Sequence, residues 1–509
     1  MSGIGRKIAK GAAWMVLFKV AERSLGLVST IILARLLMPK DFGIVAMAMS
    51  VIAVLELLSA FNFDLALIHD RSATRKDYDS AWTLNLIFSS LLALLMVALA
   101  VPTARFYREP RLEDVIYVLA FSRFITGFEN VGIIFFRKDM EFNREFSFLL
   151  SRKLASFLVT IVLALLWRNY WALVVGQVTG RVANLVLSFT MHPYRPGWSL
   201  AAWRELFHFS KWLLFNNLFL FLKNRFADFA IGRIVGSTAL GLFGVAFQIA
   251  NLPTTELIAP INRAIFPGYA KIAGDLRALQ QGFLDVLAMI MLFALPAGAG
   301  IAATAPLLVE VFLGDKWLAS IPILQIIAFY GLVGVMQTNI GSVYLAMGKP
   351  RITTYVDAAY IGLMVPLVIL ATLRHGVLGA AWAYLATALI ILPVNYAVML
   401  RTIDLRLSRS LAVMWRPLLA SGGMFAAVRP LLHGSWGNPG LRLALAVAIG
   451  AGVYVVLVLL CWRLAGMPPG GERTLLLFLG RRYPLLGRLP GVRRLLDEAD
   501  TPPRLPADP

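Results

Sequence analysis

The chain has 509 residues, of which 59% are hydrophobic and only 15% charged, and its formal net charge is +20. A soluble globular chain has about 45–50% apolar and about 25% charged residues, so this composition excludes a single water-soluble core and makes lipid the solvent for much of the surface. The basic residues are spread over short loops and a tail, as membrane proteins distribute them for orientation, and this argues against a nucleic-acid partner.

A membrane span needs about 20 mostly apolar residues. Fourteen candidates follow in order, at about 11–37, 42–68, 81–102, 115–136, 147–166, 170–191, 206–235, 239–262, 283–312, 320–346, 354–373, 377–400, 411–428 and 441–462. The first is too long and too charged for a cleavable signal. It carries Lys19, Glu22 and Arg23 at i, i+3 and i+4, on one helical face. The fourth span holds Arg123, Thr126 and Asn130 at i, i+3 and i+7, with Glu129 beside them. The sixth shows Gln177, Arg181 and Asn184 at i, i+4 and i+7. The seventh carries Asn217, Asn224 and Asp228 on one face, with Lys223 and Arg225 nearby, and the eighth carries Gln248, Asn251 and Thr255.

The segment 32–48, ILARLLMPKDFGIVAMA, aligns without a gap on 230–246, AIGRIVGSTALGLFGVA, at an offset of 198 residues. Arg35 falls on Arg233, Gly43 on Gly241 and, upstream, Trp14 on Trp212. Two related halves in a membrane-embedded chain are the mark of a secondary transporter. The expected fold is an all-α polytopic membrane protein of about 14 transmembrane helices. It has two pseudo-symmetric six-helix bundles of like orientation and two extra C-terminal helices. The domains are an N-terminal lobe, 1–191; a cytoplasmic linker, 192–205; a C-terminal lobe, 206–400; helices 13 and 14 within 401–465; and a basic cytoplasmic tail, 466–509, read as interfacial or loosely ordered. With the N-terminus inside, nineteen loop Lys and Arg residues lie on the cytoplasmic side and eight opposite, which puts both termini in the cytoplasm.

Other chemistry finds no foothold in the sequence. Cys461 is the only cysteine, so no intrachain disulfide or Cys-based zinc site can form. There is no G-x-x-x-x-G-K-[ST] phosphate loop and no H-E-x-x-H, and the five histidines make no metal pair or triad. No catalytic residue, metal or cofactor is expected.

Ionisable groups in hydrocarbon are costly, so they normally face a cavity or a partner. The embedded cations Lys19, Arg23, Arg123, Arg181, Lys223 and Arg225 are the candidate lining of a cavity between the lobes. Asn217, Asn224, Gln177, Asn184, Gln248 and Asn251 are candidate partners for sugar hydroxyls, and Glu22, Glu129 and Asp228 are ion or charge-pair partners. Such a lining suits an anionic, hydroxyl-rich headgroup such as a sugar diphosphate, because guanidinium forks bind phosphate oxygens in pairs. The structural alternative is that Lys19–Glu22 and Arg225–Asp228 neutralise each other and that the amide stripes hold helices together. Arg35 and Arg233 then serve helix-end packing.

Fourteen spans, a basic first span and the phrase ILARLLMPKDFGIVAMA resemble the polysaccharide transporter branch of the MOP exporter superfamily, the Wzx-type flippases. The segment 136–146, FRKDMEFNREF, resembles the loop after span 4 in the colanic-acid-exporter-like subgroup, and 345–351, LAMGKPR, the loop after span 10. The resemblance covers about residues 5–465. It implies a bacterial inner-membrane flippase that moves undecaprenyl-diphosphate-linked oligosaccharide repeat units to the periplasm by alternating access, for exopolysaccharide, capsule or O-antigen synthesis. Polysaccharide polymerase and chain-length machinery are its implied protein partners. The alternatives are a lipid II flippase or cation-coupled drug exporter of the same superfamily, and a membrane polysaccharide polymerase. Embedded cations disfavour the drug exporter, and short external loops disfavour the polymerase.

Overall fold

The computed structural model describes residues 3–58, 67, 73–201, 222–223, 225–432, 437–468 and 470–482; among these the chain is helical and contains no strand. Asn217, Asn224, Trp212 and the tail beyond 482 lie outside the described residues. In order the helices are α1 (Gly3–Leu36), α2 (Pro39–Leu58), α3 (Arg75–Tyr107), α4 (Leu112–Thr126), α5 (Ile134–Lys138), α6 (Phe142–Trp167), α7 (Trp171–Met191) and α8 (225–234). They continue as α9 (Ser237–Ala250), α10 (Ala259–Ile272), α11 (Leu276–Leu308), α12 (Ile321–Val335), α13 (Ile340–Ala346), α14 (Pro350–Thr402), α15 (Leu407–Leu432), α16 (Pro439–Leu464) and α17 (Gly471–Arg482). Among the described residues eight helical stretches are long and apolar enough to cross a membrane, or nine if one bent pair is a single span. The chain is a polytopic helical membrane protein.

Three breaks correct or refine the pattern read from hydropathy. The fourth span is not one straight helix: α4 stops at Thr126, and a 67° bend separates it from the run Val131–Lys138. Asn130 therefore leaves the face that Arg123 and Thr126 share. In the eighth span a π-helical turn, Pro253–Ile258, separates α9 from α10. It interrupts the amide stripe, and Asn251 turns back to donate to the Phe247 carbonyl at 2.9 Å. Within α14 Gly376 has φ 61° and ψ −145°, a region open to glycine and strained for other residues, and it breaks the helix between the two spans expected at 354–373 and 377–400.

The chain divides into two compact units. The first comprises Met1–Val245 with Phe312–Ala319 and Val365–Ala380, and the second comprises Ala246–Val311, Ser320–Met364 and Ala381–Pro509. In the first unit α1 packs on α6 through Trp14 and Phe18 against Phe146, with ring centroids 4.9 and 6.5 Å apart. Helices α6 and α7 approach closely because both present small residues four apart: Gly176 and Gly180 face Thr160 and Ser156, and the Ser156 hydroxyl donates to the Gly176 carbonyl at 2.8 Å. Without a hydrophobic drive between helices in lipid, such small-residue contacts are how spans associate.

The two aligned segments also meet inside this first unit. A Cβ placed on Gly43 would overlap the backbone carbonyl of Ser237, and one placed on Gly241 would overlap the carbonyl of Pro39. Pro39 opens α2 and Ser237 opens α9, and these residues, like the two glycines, differ by 198 positions. Each helix start thus presents the same two positions to the other, which is the contact a two-fold axis generates.

The second unit is built on α11. Phe283, Leu287, Met291 and Leu295 from one stretch of it join Val343, Tyr344, Met399, Ile403 and Met414 in a buried cluster. Gly298 admits Leu332 of α12, and the Tyr454 hydroxyl of α16 donates to the Leu292 carbonyl at 2.7 Å. Helix α17 lies within this packing. Gly471 sits against the Ala288 backbone, and Glu472, 4% exposed, pairs with Arg416 of α15, 2% exposed. The short region after Gly466 therefore contributes a docked helix, a feature the interfacial or loosely ordered reading of the tail did not contain.

Candidate functional site

In the first unit Arg123, Gln177 and Arg181 converge on one small polar cavity. Glu56 of α2 joins them, and Met49, Ile52, Leu119 and Ser122 complete the walls. Arg123 occupies the last turn of α4, where the negative end of the helix dipole favours a cation. The helix ends there because the Gly127–Asn130 segment turns away, and the Thr126 hydroxyl donates back to the Ser122 carbonyl at 3.0 Å. Arg181 reaches from α7 to both neighbours: Nη2 lies 3.5 Å from Glu56 Oε1, and Nη1 donates to Thr126 Oγ1 at 3.5 Å. The Arg123 Nε is buried and makes no hydrogen bond. Arg123 feels Glu56 and Glu129 as attractive charges and Arg181 as a repulsive one. Two guanidinium groups and an amide therefore face one pocket whose free volume, about 20 Å³, is room for one water-sized group, and guanidinium forks of this kind pair with oxyanions.

The other expected site residues fall elsewhere. Lys19 Nζ lies 3.0 Å from Glu22 Oε2, with the lysine side chain 64% exposed, and Arg23 is half-buried on the same helix. Lys223 is half-buried, and Arg225 Nη1 lies 3.2 Å from Asp228 Oδ2. Asn184 is buried and accepts from Arg152 Nη1 at 3.1 Å, a partner on α6 that sequence reading missed. In the second unit Gln248 is exposed, and Asn251 is spent on the backbone bond described above. Glu56 was also missed, although its signal was available: an acid within the apolar run 42–68 is a functional candidate by default. Among the described residues no group of three or more His, Cys, Asp or Glu side chains is placed to hold a metal ion.

A strap formed by residues 192–201 follows α7 and fastens its end to α3 and to the bend after α4. Asp79 Oδ1 accepts from the Tyr194 hydroxyl at 2.7 Å and from the Gly197 backbone N–H at 2.8 Å. Trp198 packs on Trp82 with centroids 5.4 Å apart. Asn130, fully buried, donates from Nδ2 to the carbonyls of Tyr194 and Ser188 at 2.7 and 3.2 Å, so its role is to lock the bend after α4 to the strap. His192 stacks on Phe135, and burial, followed by the Arg144 charge, pushes its imidazole below the ordinary range. We expect Asp79→Ala to free the strap and destabilise the protein by about 1–3 kcal/mol, the loss of two hydrogen bonds from part-buried donors to a carboxylate. Faster proteolysis of the variant within 192–201 is the measurement that checks it, and an unchanged cleavage rate counts against the role.

Residues 32–322 match the family model described as "Polysaccharide biosynthesis protein". The chain is 25% identical over 401 residues to the lipopolysaccharide biosynthesis protein WzxC of Escherichia coli, covering 78% of this chain and 82% of that protein. It is also 25% identical over 469 residues to the teichuronic acid biosynthesis protein TuaB of Bacillus subtilis, covering 90% of this chain and 96% of that protein. Among solved structures it resembles the lipid II flippase MurJ in an inward closed conformation, with a TM-score of 0.71 and 12% identity over 88% of this chain and 99% of that one. It also resembles an inward-facing MATE multidrug transporter of the MOP superfamily, with a TM-score of 0.60 and 14% identity over 75% and 95%. At these identities the structural likeness concerns the fold alone.

Proposed function

The chain belongs to the polysaccharide biosynthesis protein family, and from that premise we propose that it is a flippase for lipid-linked oligosaccharide repeat units. In this reading the units are carried on undecaprenyl diphosphate and cross from the cytoplasmic to the periplasmic leaflet of the bacterial inner membrane by alternating access. The two lobes read from the sequence repeat are the elements that alternate. The observation that carries the reading is the pocket of Arg123, Arg181 and Gln177. The guanidinium groups of Arg123 and Arg181, set side by side, suit a diphosphate and acidic sugars better than a cationic drug. The lipid tail stays in the bilayer while the headgroup moves. Lys19, Arg23, Lys223 and Arg225 extend the cationic path, and the amides Asn217, Asn224, Asn184, Gln248 and Asn251 serve hydroxyls or hold helices. The transport itself makes and breaks no covalent bond, so no catalytic residue is assigned. A second reading, a lipid II flippase, uses the same diphosphate chemistry with a different glycan.

A charge-assisted hydrogen bond contributes about 1.5–3 kcal/mol. Arg123→Ala and Arg181→Ala are therefore expected to weaken headgroup binding about tenfold to a hundredfold and to lower polysaccharide export in a complemented deletion strain. Arg→Lys should rescue only partly because the planar fork is lost. Wild-type export by both alanine variants at normal membrane levels overturns the assignment. The orientation has its own check. Reporter fusions after Arg75, Arg144 and Arg409 are expected to report cytoplasm and one after Arg108 periplasm, as loop charge dictates; periplasmic signal at Arg144 overturns it.

A further inference from the structure

We propose that Glu56 is a resident counter-ion that the headgroup phosphate displaces from Arg181, and that this competition sets how much negative charge a headgroup must carry to occupy the pocket. The proposal rests on the reading of the arginine pocket as the phosphate site.

Three observations carry it. First, the Arg181–Glu56 pair is loose. Its N–O separation is 3.5 Å, and the two side chains are 39% and 37% exposed. A tight charge-assisted N–H···O bond lies at about 2.7–2.9 Å, so the guanidinium is held within reach of the carboxylate rather than locked to it. The same chain contains the opposite case, Arg416–Glu472, at 3.0 Å and almost wholly buried. Second, the other contact of Arg181, to Thr126, is stretched to 3.5 Å as well. The fork is oriented but poorly satisfied. Third, Arg123 Nε is a buried donor with no hydrogen bond, and it belongs to the same pocket. A buried donor left in this state is normally costly, and an incoming oxygen removes that cost.

These three features describe a site filled provisionally. One carboxylate offers one negative charge and reaches Arg181. A diphosphate offers more than one charge and enough oxygens to meet Arg181 and Arg123 together. It therefore replaces Glu56 with a net gain, whereas a ligand with a single charge exchanges nearly evenly. Glu56 then acts as a threshold that favours the diphosphate over the singly charged phosphodiester lipids of the surrounding bilayer.

The test uses the purified full-length protein in nanodiscs and two probes of equal prenyl length, a prenyl diphosphate and a prenyl methyl phosphodiester, which carries a single charge. Glu56→Gln is expected to tighten both probes, the diphosphate by about twofold to fivefold, the scale of a partly exposed ion pair. It should tighten the singly charged phosphodiester more, so that the preference for diphosphate narrows. In the Arg181→Ala background Glu56→Gln should change little. Glu56→Asp, which draws the carboxylate back by one methylene, is expected to give a smaller gain. If Arg123→Ala and Arg181→Ala leave diphosphate binding unchanged, the phosphate-site reading itself fails. If they weaken it while Glu56→Gln leaves it unchanged or weaker, only the counter-ion proposal fails. Loss of the folded protein in both Glu56 variants makes Glu56 a structural partner of Arg181 and also overturns the proposal.

Discussion

Alanine at Glu472 is expected to destabilise the second unit by about 3–5 kcal/mol, the effect of stranding one charge of a buried pair. Arg416 Nε lies 3.0 Å from Glu472 Oε1, off the N–H axis, and the directed hydrogen bond runs from Nη2 to Oε2 at 3.4 Å. Attraction in a low-dielectric site rather than ideal geometry holds the pair. Removing the carboxylate leaves Arg416 buried in the α11–α15 packing, where its charge must be hydrated by opening that packing. Replacing both partners, as Arg416→Met with Glu472→Leu, is expected to recover most of the loss, because apolar residues of similar volume avoid the desolvation penalty. Thermal unfolding of the purified variants in one detergent provides the comparison. A Glu472→Ala protein within 1 kcal/mol of the parent, or a double variant as weak as the single, contradicts this account.

The second large effect is expected at the reciprocal glycines. Gly43→Ala and Gly241→Ala each push a methyl group into backbone carbonyl oxygen, Ser237 in one case and Pro39 in the other. No side-chain rotation relieves this, so α2 and α9 must separate at their starts. Overpacking of a well-filled contact costs about 1–3 kcal/mol, occasionally more, and a clash with backbone belongs at the upper end. The two substitutions share one contact, so the double variant should lose clearly less than the sum of the singles. Full additivity in unfolding measurements means that the two approaches are independent and that the shared axis is wrong.

Much of this fold was legible in the residues. Long apolar runs announced the spans, and the match of 32–48 on 230–246 announced the paired helix starts before their glycines were seen to meet. Arg123, Gln177 and Arg181 were selected by charge and spacing, and they share a pocket. What the pattern could not show was where helices break. Glu129 and Asn130 lie within span 4, and a window of about 20 residues averages over them, so helical spacing puts Asn130 on the face of Arg123 when its amide in fact secures a bend. Long-range partners were invisible for the same reason. Nothing in the local sequence links Asn184 to Arg152 or Arg416 to Glu472, because those pairings arise only when separate helices pack. Glu56, an acid inside the apolar run 42–68, is legible from sequence by the same rule that selects the cations.

The buried pair also imposes an order on synthesis. Arg416 precedes Glu472 by 56 residues, so each nascent chain delivers the guanidinium to the bilayer well before its carboxylate exists. An arginine stem without its partner stretches toward interfacial water, and docking of α17 is what brings the carboxylate to Arg416.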